Sequence, residues 1–327
     1  MPEMTFIDAI RSAMHDAMAA DPSVIVLGED VALKGGVFLA TDGLLNTYGE
    51  NRVIDTPIAE IAVVGLAIGA ALHGLKPVAE IQFADYIHPA IDQILNEAAV
   101  FRYRSAGDWT CPIVVRAPFG AGIHGGLYHS QSSEALFTST PGLKVVIPST
   151  PYDAKGLLIA AINDPDPVVF FEHKQLYRSQ RSDVPDGVYT VPIGKAMIRR
   201  EGTDMSLYSY GLMLHYALQA AEQVSKDGIS VEVIDLRTLY PLDKALILES
   251  VKKTGKALIV HEDNLTGGIG GEISALIAEH AFEYLDGPVR RLGSPDVPPV
   301  AFAESLEEAY MLNPAKIEAA IRELAAY

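Results

Sequence analysis

Short apolar segments alternate with longer amphipathic ones along most of the chain. Residues 5–20 predict a first helix, because the apolar side chains from Phe6 to Met18 recur every four residues behind the cap Thr5. The clearest later helices are predicted at 86–105 and 153–162. Buried strands are predicted at 24–27, 53–54, 77–83, 112–117, 144–148 and 168–172. Continuous apolar strands between helices indicate a parallel sheet that is covered on both faces.

A polar segment, residues 175–187, interrupts this alternation and ends in the turn Pro185-Asp186-Gly187. Beyond it the pattern restarts. Strands are predicted at 205–210, 231–236, 257–261 and 289–292, and helices at 214–225, 243–254, 270–284 and 314–326. We therefore predict an α/β protein with two doubly wound domains, residues 1–176 and 191–327, joined by a linker at 177–190.

Composition and charge narrow the class of protein. Of the 327 residues, 49% are hydrophobic and 20% charged, which is typical of a soluble globular protein, and no apolar run reaches the length of a membrane span. The net charge of −17 argues against nucleic acid as a partner. A single cysteine, Cys111, excludes an internal disulfide, so we expect a reducing compartment, the cytoplasm. Residues 262–327 carry twelve acidic against four basic side chains. This acidic segment is either a solvated surface or a docking face for a basic partner.

The most unusual stretch begins at Glu60, which precedes twelve residues without a polar side chain, 61–72. Ala62, Gly65 and Gly69 fall at helical spacing, so one face of the predicted helix is nearly bare backbone and should pack closely against another subunit or against its own sheet. If Glu60 is buried there, it loses hydration and its protonated form is favoured. A glutamate that only benefits from the helix dipole explains the same residue equally well.

A glycine-rich loop, residues 120–131, follows the strand at 112–117 and contains His124 and His129. Open α/β sheets bind ligands at this end of their strands. A histidine on such a loop suits general acid/base catalysis, for which His129 is the stronger candidate. The alternative is that both histidines only hold the loop by hydrogen bonds. No cysteine or carboxylate stands near them at zinc-ligand spacing.

Nucleotide-binding motifs do not fit the chain. Gly120, Gly122 and Gly125 have the Gly-x-Gly-x-x-Gly spacing after a strand, but no predicted helix begins at this loop, as a dinucleotide site requires. The Walker sequence is absent. The glycines of 267–271 have the wrong spacing for a dinucleotide loop. Another strand end, 80–90, contains Gln82, Phe83 and Tyr86, which could stack on and hydrogen-bond a flat ring, although such aromatic residues also serve as core.

Together these motifs resemble the beta subunit of 2-oxo acid dehydrogenase complexes, specifically the branched-chain (2-oxoisovalerate) type. This is the thiamine-diphosphate-dependent decarboxylating component, which has a transketolase-like pyrimidine-binding domain followed by a transketolase C-terminal-like domain. The resemblance spans the chain and rests on segments 28–31, 55–60, 81–87, 92–99, 102–105, 124–132, 235–243 and 267–270.

The resemblance implies a role for each candidate residue. In this family the residue matching Glu60 hydrogen-bonds the aminopyrimidine of thiamine diphosphate, and the one matching His129 is an acid/base group that faces the substrate. Cofactor contacts are implied for Glu29, Ile58, Ala59, Gln82 and Tyr86. The acyl pocket is implied to include Tyr86, Ile87, His88 and Pro89. Asp164 and Asp166 match a loop near a monovalent cation in related enzymes, although the residue types differ there.

The diphosphate and magnesium motif of thiamine enzymes is missing. Gly107-Asp108 continues with Trp109 instead of glycine, and no Asn-Asn pair exists. The resemblance therefore implies an alpha subunit that supplies magnesium, an α2β2 heterotetramer, and acyl transfer to the lipoyl group of an acyltransferase core. Pyruvate or acetoin as the substrate remains open. A non-catalytic scaffold subunit agrees less well with the presence of Glu60 and His129. An unrelated nucleotide-binding oxidoreductase agrees less well with the lack of a glycine loop that opens a predicted helix.

Overall fold

The computed structural model describes residues 2–298 and 300–327. The chain forms two compact units. The first comprises the residues up to Phe119 together with Leu136–Ile193, and the second comprises Gly120–Ala135 and Gly194–Tyr327. Within the described residues, no helix combines the length and apolarity needed to cross a bilayer.

The first unit is built on a parallel sheet, as the apolar strands predict. Its strands are β1 (Glu3–Thr5), β2 (Val24–Gly28), β3 (Val53–Asp55), β4 (Lys76–Glu80), β5 (Val114–Phe119), β6 (Lys144–Val146), β7 (Val168–His173) and β8 (Arg181–Asp183). Six of them lie in the order β6-β7-β5-β4-β2-β3, and every adjacent pair is parallel. β1 and β8 form a separate antiparallel pair.

Helices accompany these strands and form the outer layers. They are α1 (Phe6–Ala20), α2 (Leu44–Tyr48), α3 (Glu60–Leu72), α4 (Phe101–Arg104), α5 (Ala135–Thr138), α6 (Pro151–Ile162) and α7 (Leu176–Ser179). The Thr5 hydroxyl accepts the Asp8 N–H at 3.2 Å and caps α1, which buries Phe6, Ile10 and Met14. The predictions for α1 and α6 are confirmed.

The single helix predicted at 86–105 is wrong. The segment consists of 3₁₀ turns at Ala84–Tyr86, His88–Ala90 and Ala98–Val100, a π turn at Gln93–Glu97, and the short α4. Pro89 lacks the N–H that a helix interior requires, and the π turn inserts an extra residue. A Cβ at Gly142 would lie 2.1 Å from the Ala99 carbonyl oxygen, so neighbouring backbone constrains this irregular path.

The second unit also has a mainly parallel sheet. Its strands are β9 (Met197–Arg200), β10 (Met205–Ser209), β11 (Val231–Asp235), β12 (Thr238–Tyr240), β13 (Ala257–Asn264) and β14 (Arg290–Ser294). Its helices are α8 (Gly211–Ser225), α9 (Lys244–Thr254), α10 (Ile269–Ala281), α11 (Glu304–Tyr310) and α12 (Pro314–Ala325). The sheet order is β14-β13-β10-β11-β9, with β9 antiparallel at the edge.

The units do not divide where the polar segment suggested. Residues 177–190 contain most of α7 and all of β8, and they lie inside the first unit rather than between two domains. The division falls at Ile193 and Gly194. The predicted first domain, residues 1–176, includes the glycine-rich loop, yet in the structure this loop belongs to the second unit. Its hydrogen bonds explain this, because they run to β13 and α11.

Candidate active site

Three adjacent strands of the first unit end at one edge of the sheet and direct their following residues there. Gly28 at the end of β2 is paired with Asp55 of β3 and with Glu80 of β4. A Cβ at Gly28 would lie 2.7 Å from the Glu80 carbonyl oxygen, so this turn requires glycine. The predicted cofactor residues Glu29, Ile58 and Gln82 follow these strand ends, which is where parallel sheets bind ligands.

Glu60 is the first residue of α3. Burial first, and then the negative charges of Asp30 and Glu60, raise the pKa of Glu29. The expectation that Glu60 is buried is not met within this chain, because its side chain is half-buried.

The bare face of α3 is open to solvent. Ile61 and Leu66 are 49% and 57% exposed. A Cβ added at Gly65 or Gly69 would meet no atom within 4 Å. The close packing expected of this face is therefore not made by the chain's own sheet in the described residues.

Gln82 and a group of aromatic rings complete this edge of the sheet. The Gln82 side-chain amide donates to the Glu29 carbonyl oxygen at 3.4 Å. The Phe83 ring packs edge-on against Tyr86 and Phe38, with centroids 6.2 and 5.5 Å away. Tyr86 remains half-buried, so part of its ring is accessible beside Gln82. An amide and a ring edge at one strand end can contact a flat heterocycle.

The predicted acyl pocket needs one correction. Ile87 is completely buried, because its side chain belongs to the core under the 3₁₀ turns, and so it presents no surface to a substrate. His88 and Pro89 are exposed, as is Ile58, at 75%. The His88 ring Nδ1 donates to the Asp85 carbonyl oxygen at 3.0 Å, which orients the ring.

A fully buried ion-pair cluster underlies these rings and was missed by the sequence reasoning. Arg116 donates to Glu172 at 2.7 and 2.8 Å and to Glu80 at 2.6 Å. The Tyr177 hydroxyl donates to Glu172 at 2.7 Å, and the Tyr177 ring packs on Phe38 with centroids 5.2 Å apart. Burial raises the pKa of Glu80, and Arg116 opposes that shift. Arg116 and Glu172 lie within apolar-looking strands, so the only sequence signal was one charge in each of two neighbouring buried strands.

The loop with His129 belongs to the second unit. The Gly120 N–H donates to the Gln131 carbonyl oxygen at 3.1 Å and closes the loop. The Gln131 side-chain amide donates to the Leu127 carbonyl oxygen at 2.7 Å. His129 is half-buried and lies at the end of a 3₁₀ turn, Gly126–Tyr128. A Cβ at Gly125 would lie 2.7 Å from the His129 Cβ, so the glycine permits this histidine its position.

Several carboxylates near this loop are buried, so the acidic segment 262–327 is not entirely a solvated surface. Glu134, Glu262, Asp263 and Glu307 are all buried. Burial first, and then the charge of Asp263, raise the pKa of Glu134, which accepts the Tyr210 hydroxyl at 2.8 Å. Burial also raises the pKa of Asp263 to about 6, against two backbone N–H donors. At least three acids of the segment 262–327 thus act inside the fold.

Asp164 and Asp166 are paired with side-chain cations. The Lys144 ammonium lies 2.5 Å from Asp164 and 3.3 Å from Asp166, and Arg102 donates to both Asp166 oxygens. An ammonium thus stands where the resemblance implied a monovalent cation. No cluster of three metal-ligating side chains occurs in residues 2–298 and 300–327. A cavity of about 580 Å³ beside Asp166 is lined by none of the candidate cofactor residues.

Comparison with known proteins agrees with both units. Residues 2–180 match the family profile "Transketolase, pyrimidine binding domain", and residues 194–317 match "Transketolase, C-terminal domain". The chain is 58% identical over 327 residues to the 2-oxoisovalerate dehydrogenase subunit beta of Bacillus subtilis, with full coverage of both. It belongs to the beta subunits of 2-oxo acid dehydrogenases. The predicted resemblance and α/β fold are confirmed.

Other members of this family are also similar. The 2-oxoisovalerate dehydrogenase subunit beta of Pseudomonas aeruginosa is 47% identical, covering 98% of this chain and 94% of that protein. The pyruvate dehydrogenase E1 component subunit beta of Bacillus subtilis is 50% identical, covering 94% of each. A solved structure, "Split gene transketolase, inactive beta4 tetramer", has a TM-score of 0.80 at 24% identity, covering 99% of this chain and 98% of that one, and supports the fold.

Proposed function

We propose that the chain is the beta subunit of a branched-chain 2-oxo acid dehydrogenase, which binds the pyrimidine end of thiamine diphosphate and is active only with an alpha subunit. The main support for this proposal is the position of Glu60 at the start of α3. Its carboxylate heads an apolar helix that follows β3, and its charge contributes to the raised pKa of Glu29, whose carbonyl oxygen accepts the Gln82 amide. The 58% identity over the whole chain to a 2-oxoisovalerate dehydrogenase subunit beta supports a branched-chain substrate. The 50% identity to a pyruvate dehydrogenase subunit beta makes pyruvate the alternative.

The residues at this edge fit one half of the cofactor. Glu60 would hydrogen-bond a ring nitrogen of the pyrimidine, Gln82 and Tyr86 would contact the ring, and the Ile58-Ala59 backbone would lie beside it. The sequence lacks the Gly-Asp-Gly and Asn-Asn residues that hold the diphosphate and magnesium in thiamine enzymes, which supports a second chain at the diphosphate end. When bound, thiamine diphosphate supplies the carbon nucleophile and electron sink for decarboxylation.

Glu60 and His129 have separate tasks in the proposal. Glu60 shares a proton with the cofactor ring, and a half-buried carboxylate at a helix start can exchange one. His129, on a loop held in the second unit, acts as acid or base toward the 2-oxo acid. His88 and Pro89 are surface residues suited to an acyl pocket, with Ile87 supporting them from the core.

The open face of α3 supports a partner subunit. Exposed Ile58, Ile61 and Leu66 flank a strip on which Gly65 and Gly69 leave the backbone accessible. We propose association into an α2β2 heterotetramer, action with a lipoyl acyltransferase core, and a cytoplasmic location. Cys111, the only cysteine, is buried, and burial raises the pKa of its thiol to about 12, consistent with an unreactive thiol in a reducing compartment.

Cofactor binding tests the shared-site proposal. The purified chain alone and the chain co-expressed with a 2-oxo acid dehydrogenase alpha subunit are titrated with thiamine diphosphate and magnesium by calorimetry. We expect tight, magnesium-dependent binding only in the complex. Equally tight magnesium-dependent binding by the lone chain contradicts the proposal. Decarboxylation rates of the complex on 2-oxoisovalerate and pyruvate then decide between the two substrates.

Association tests the role of α3. Gly65→Phe should leave the isolated chain folded, because nothing lies within 4 Å of the new Cβ, yet prevent assembly with the alpha subunit. Gln219→Phe, at an exposed position on α8, is the matched control and should assemble normally. Size-exclusion chromatography with light scattering measures both. Normal assembly of Gly65→Phe would remove this face from the proposed interface.

A further inference from the structure

Two buried glutamates hold the beginning of the histidine loop. Glu262 on β13 accepts the Ala121 N–H at 2.6 Å, and Glu307 on α11 accepts the Gly122 N–H at 2.8 Å. Both carboxylates are at most 2% exposed. A buried carboxylate is costly unless it is hydrogen-bonded, and a backbone N–H that donates to a charged acceptor makes a stronger bond than one to a neutral acceptor.

Glu307 makes a second contact with the same loop. Its other carboxylate oxygen is paired with Nδ1 of His124, whose backbone has a φ of +56°, in the left-handed region. A non-glycine residue in that conformation is strained and persists only where its surroundings fix it. One side chain therefore constrains both Gly122 and His124.

The chain just before α11 constrains the loop at a third point. A Cβ at Gly126 would lie 2.3 Å from the Phe302 ring, so the ring packs directly against the Gly126 backbone. The His129 N–H donates to the Gly126 carbonyl oxygen at 3.3 Å. The residue that carries His129 is thus hydrogen-bonded to the part of the loop against which Phe302 packs.

The neighbours of Glu307 on α11 show that its burial is specific. Glu304 and Glu308 are both exposed, whereas Glu307 is 1% exposed. The glutamates of this helix thus divide between solvent and the loop. The acidic charge of the C-terminal segment is not uniformly available for a docking partner.

We propose that Glu307 is a positioning residue for His129. By accepting the Gly122 N–H and pairing with His124, it holds residues 120–129 in one conformation and so fixes the imidazole where the 2-oxo acid is protonated or deprotonated. The inference rests on the proposed function of His129. It extends the set of residues required for turnover to α11, which contributes no group to the reaction itself.

Three variants test this in the assembled enzyme and in the isolated chain. Glu307→Ala removes both contacts, whereas Glu307→Gln keeps an oxygen that can accept the Gly122 N–H. Glu308→Gln, one residue along and exposed, is the matched control. Steady-state decarboxylation gives kcat and KM, and hydrogen–deuterium exchange of the isolated chain reports the amides of 121–129.

We expect Glu307→Ala to exchange these amides about tenfold faster or more and to lower kcat by about tenfold, with KM and cofactor affinity nearly unchanged. Glu307→Gln should recover most of kcat, and Glu308→Gln should match wild type. A purely structural role would lower the amount of folded enzyme and leave kcat per folded molecule intact.

Unchanged exchange in Glu307→Ala, or faster exchange with a normal kcat, would overturn the proposal. Failure of the proposed function has a different signature, because wild-type chain with its alpha subunit would then not decarboxylate any 2-oxo acid. The exchange measurement still decides in that case whether Glu307 holds the loop.

Discussion

The Arg116 guanidinium and the Glu172 carboxylate form a two-point ion pair in which neither side chain is exposed to solvent. Bidentate pairs of this kind fix orientation as well as charge. Tyr177 donates to the same carboxylate and packs on Phe38, which in turn packs on Phe83 beside Tyr86, so contacts link the ion pair to the aromatic rings at the candidate cofactor edge. The candidate cofactor edge therefore rests on a charged core rather than an apolar one.

Glu172→Ala should reduce the free energy of unfolding by about 3–5 kcal/mol, because Arg116 would keep its buried charge with only Glu80 as a carboxylate partner. Tyr177→Phe removes one hydrogen bond to the same carboxylate and should cost about 1–3 kcal/mol. Urea unfolding followed by circular dichroism measures both. Equal losses for the two variants would show that the ion pair contributes less than its geometry implies.

Glu60→Gln should preserve the fold and abolish nearly all decarboxylation by the assembled enzyme. The substitution is isosteric at a half-buried helix start, so unfolding should change by about 0.5 kcal/mol or less. Glutamine cannot exchange a proton with a ring nitrogen. Glu50→Gln, at an exposed position, is the control and should be fully active. Near-normal turnover of Glu60→Gln would remove the catalytic role.

Lys144→Met should make the stability of the chain depend on potassium. The wild-type ammonium pairs with Asp164 and Asp166, so wild-type unfolding should not change when potassium replaces tetramethylammonium at constant ionic strength. Without the ammonium the carboxylates of Asp164 and Asp166 repel each other. We expect the free energy of unfolding to fall by about 1–3 kcal/mol and potassium to restore part of it. A potassium-dependent wild type would show that Lys144 does not replace the cation.

Asp263→Asn should change the pH dependence of stability. Burial raises the pKa of Asp263 from 3.8 to about 6, so the folded protein holds this proton more tightly than the unfolded chain. The tighter proton binding by the folded state stabilises the protein fully below pH 3.8, and this stabilisation is lost as pH rises through about 6. Relative to wild type, Asp263→Asn should gain on the order of 1–3 kcal/mol between pH 4 and pH 7.

Asp296→Asn is the control for that experiment and should differ from wild type in the opposite direction. Hydrogen bonds from the Thr266 hydroxyl and N–H lower the pKa of Asp296, so its stabilisation is present above its unfolded pKa and is lost as pH falls. Chemical denaturation at several pH values measures both variants. Parallel pH profiles for the two would contradict the assigned shifts.

Local patterns predicted much of this molecule. The apolar runs of β2, β5 and β7 and the capped helix α1 follow from hydrophobic spacing, and Glu60 stands out because its neighbours are uniformly apolar. Non-local contacts were not readable. Gly142 packs against the Ala99 backbone, more than 40 positions away, on the irregular path through 84–104. The hydrogen bonds of Glu262 and Glu307 join residues about 140 and 185 positions apart. The net charge of the C-terminal segment could not show that Glu307 is buried while its neighbour Glu308 is exposed.

The rigidity of α3 has a consequence for when the enzyme becomes competent. Gly65 and Gly69 follow Glu60 on the same thirteen-residue helix, roughly 8 and 14 Å along its axis at 1.5 Å per residue. A partner seated on those glycines would fix the orientation of the carboxylate and shield it from water in one event. Under the proposed function, quaternary assembly would itself be the maturation step, and the subunit alone would fold without turning over substrate.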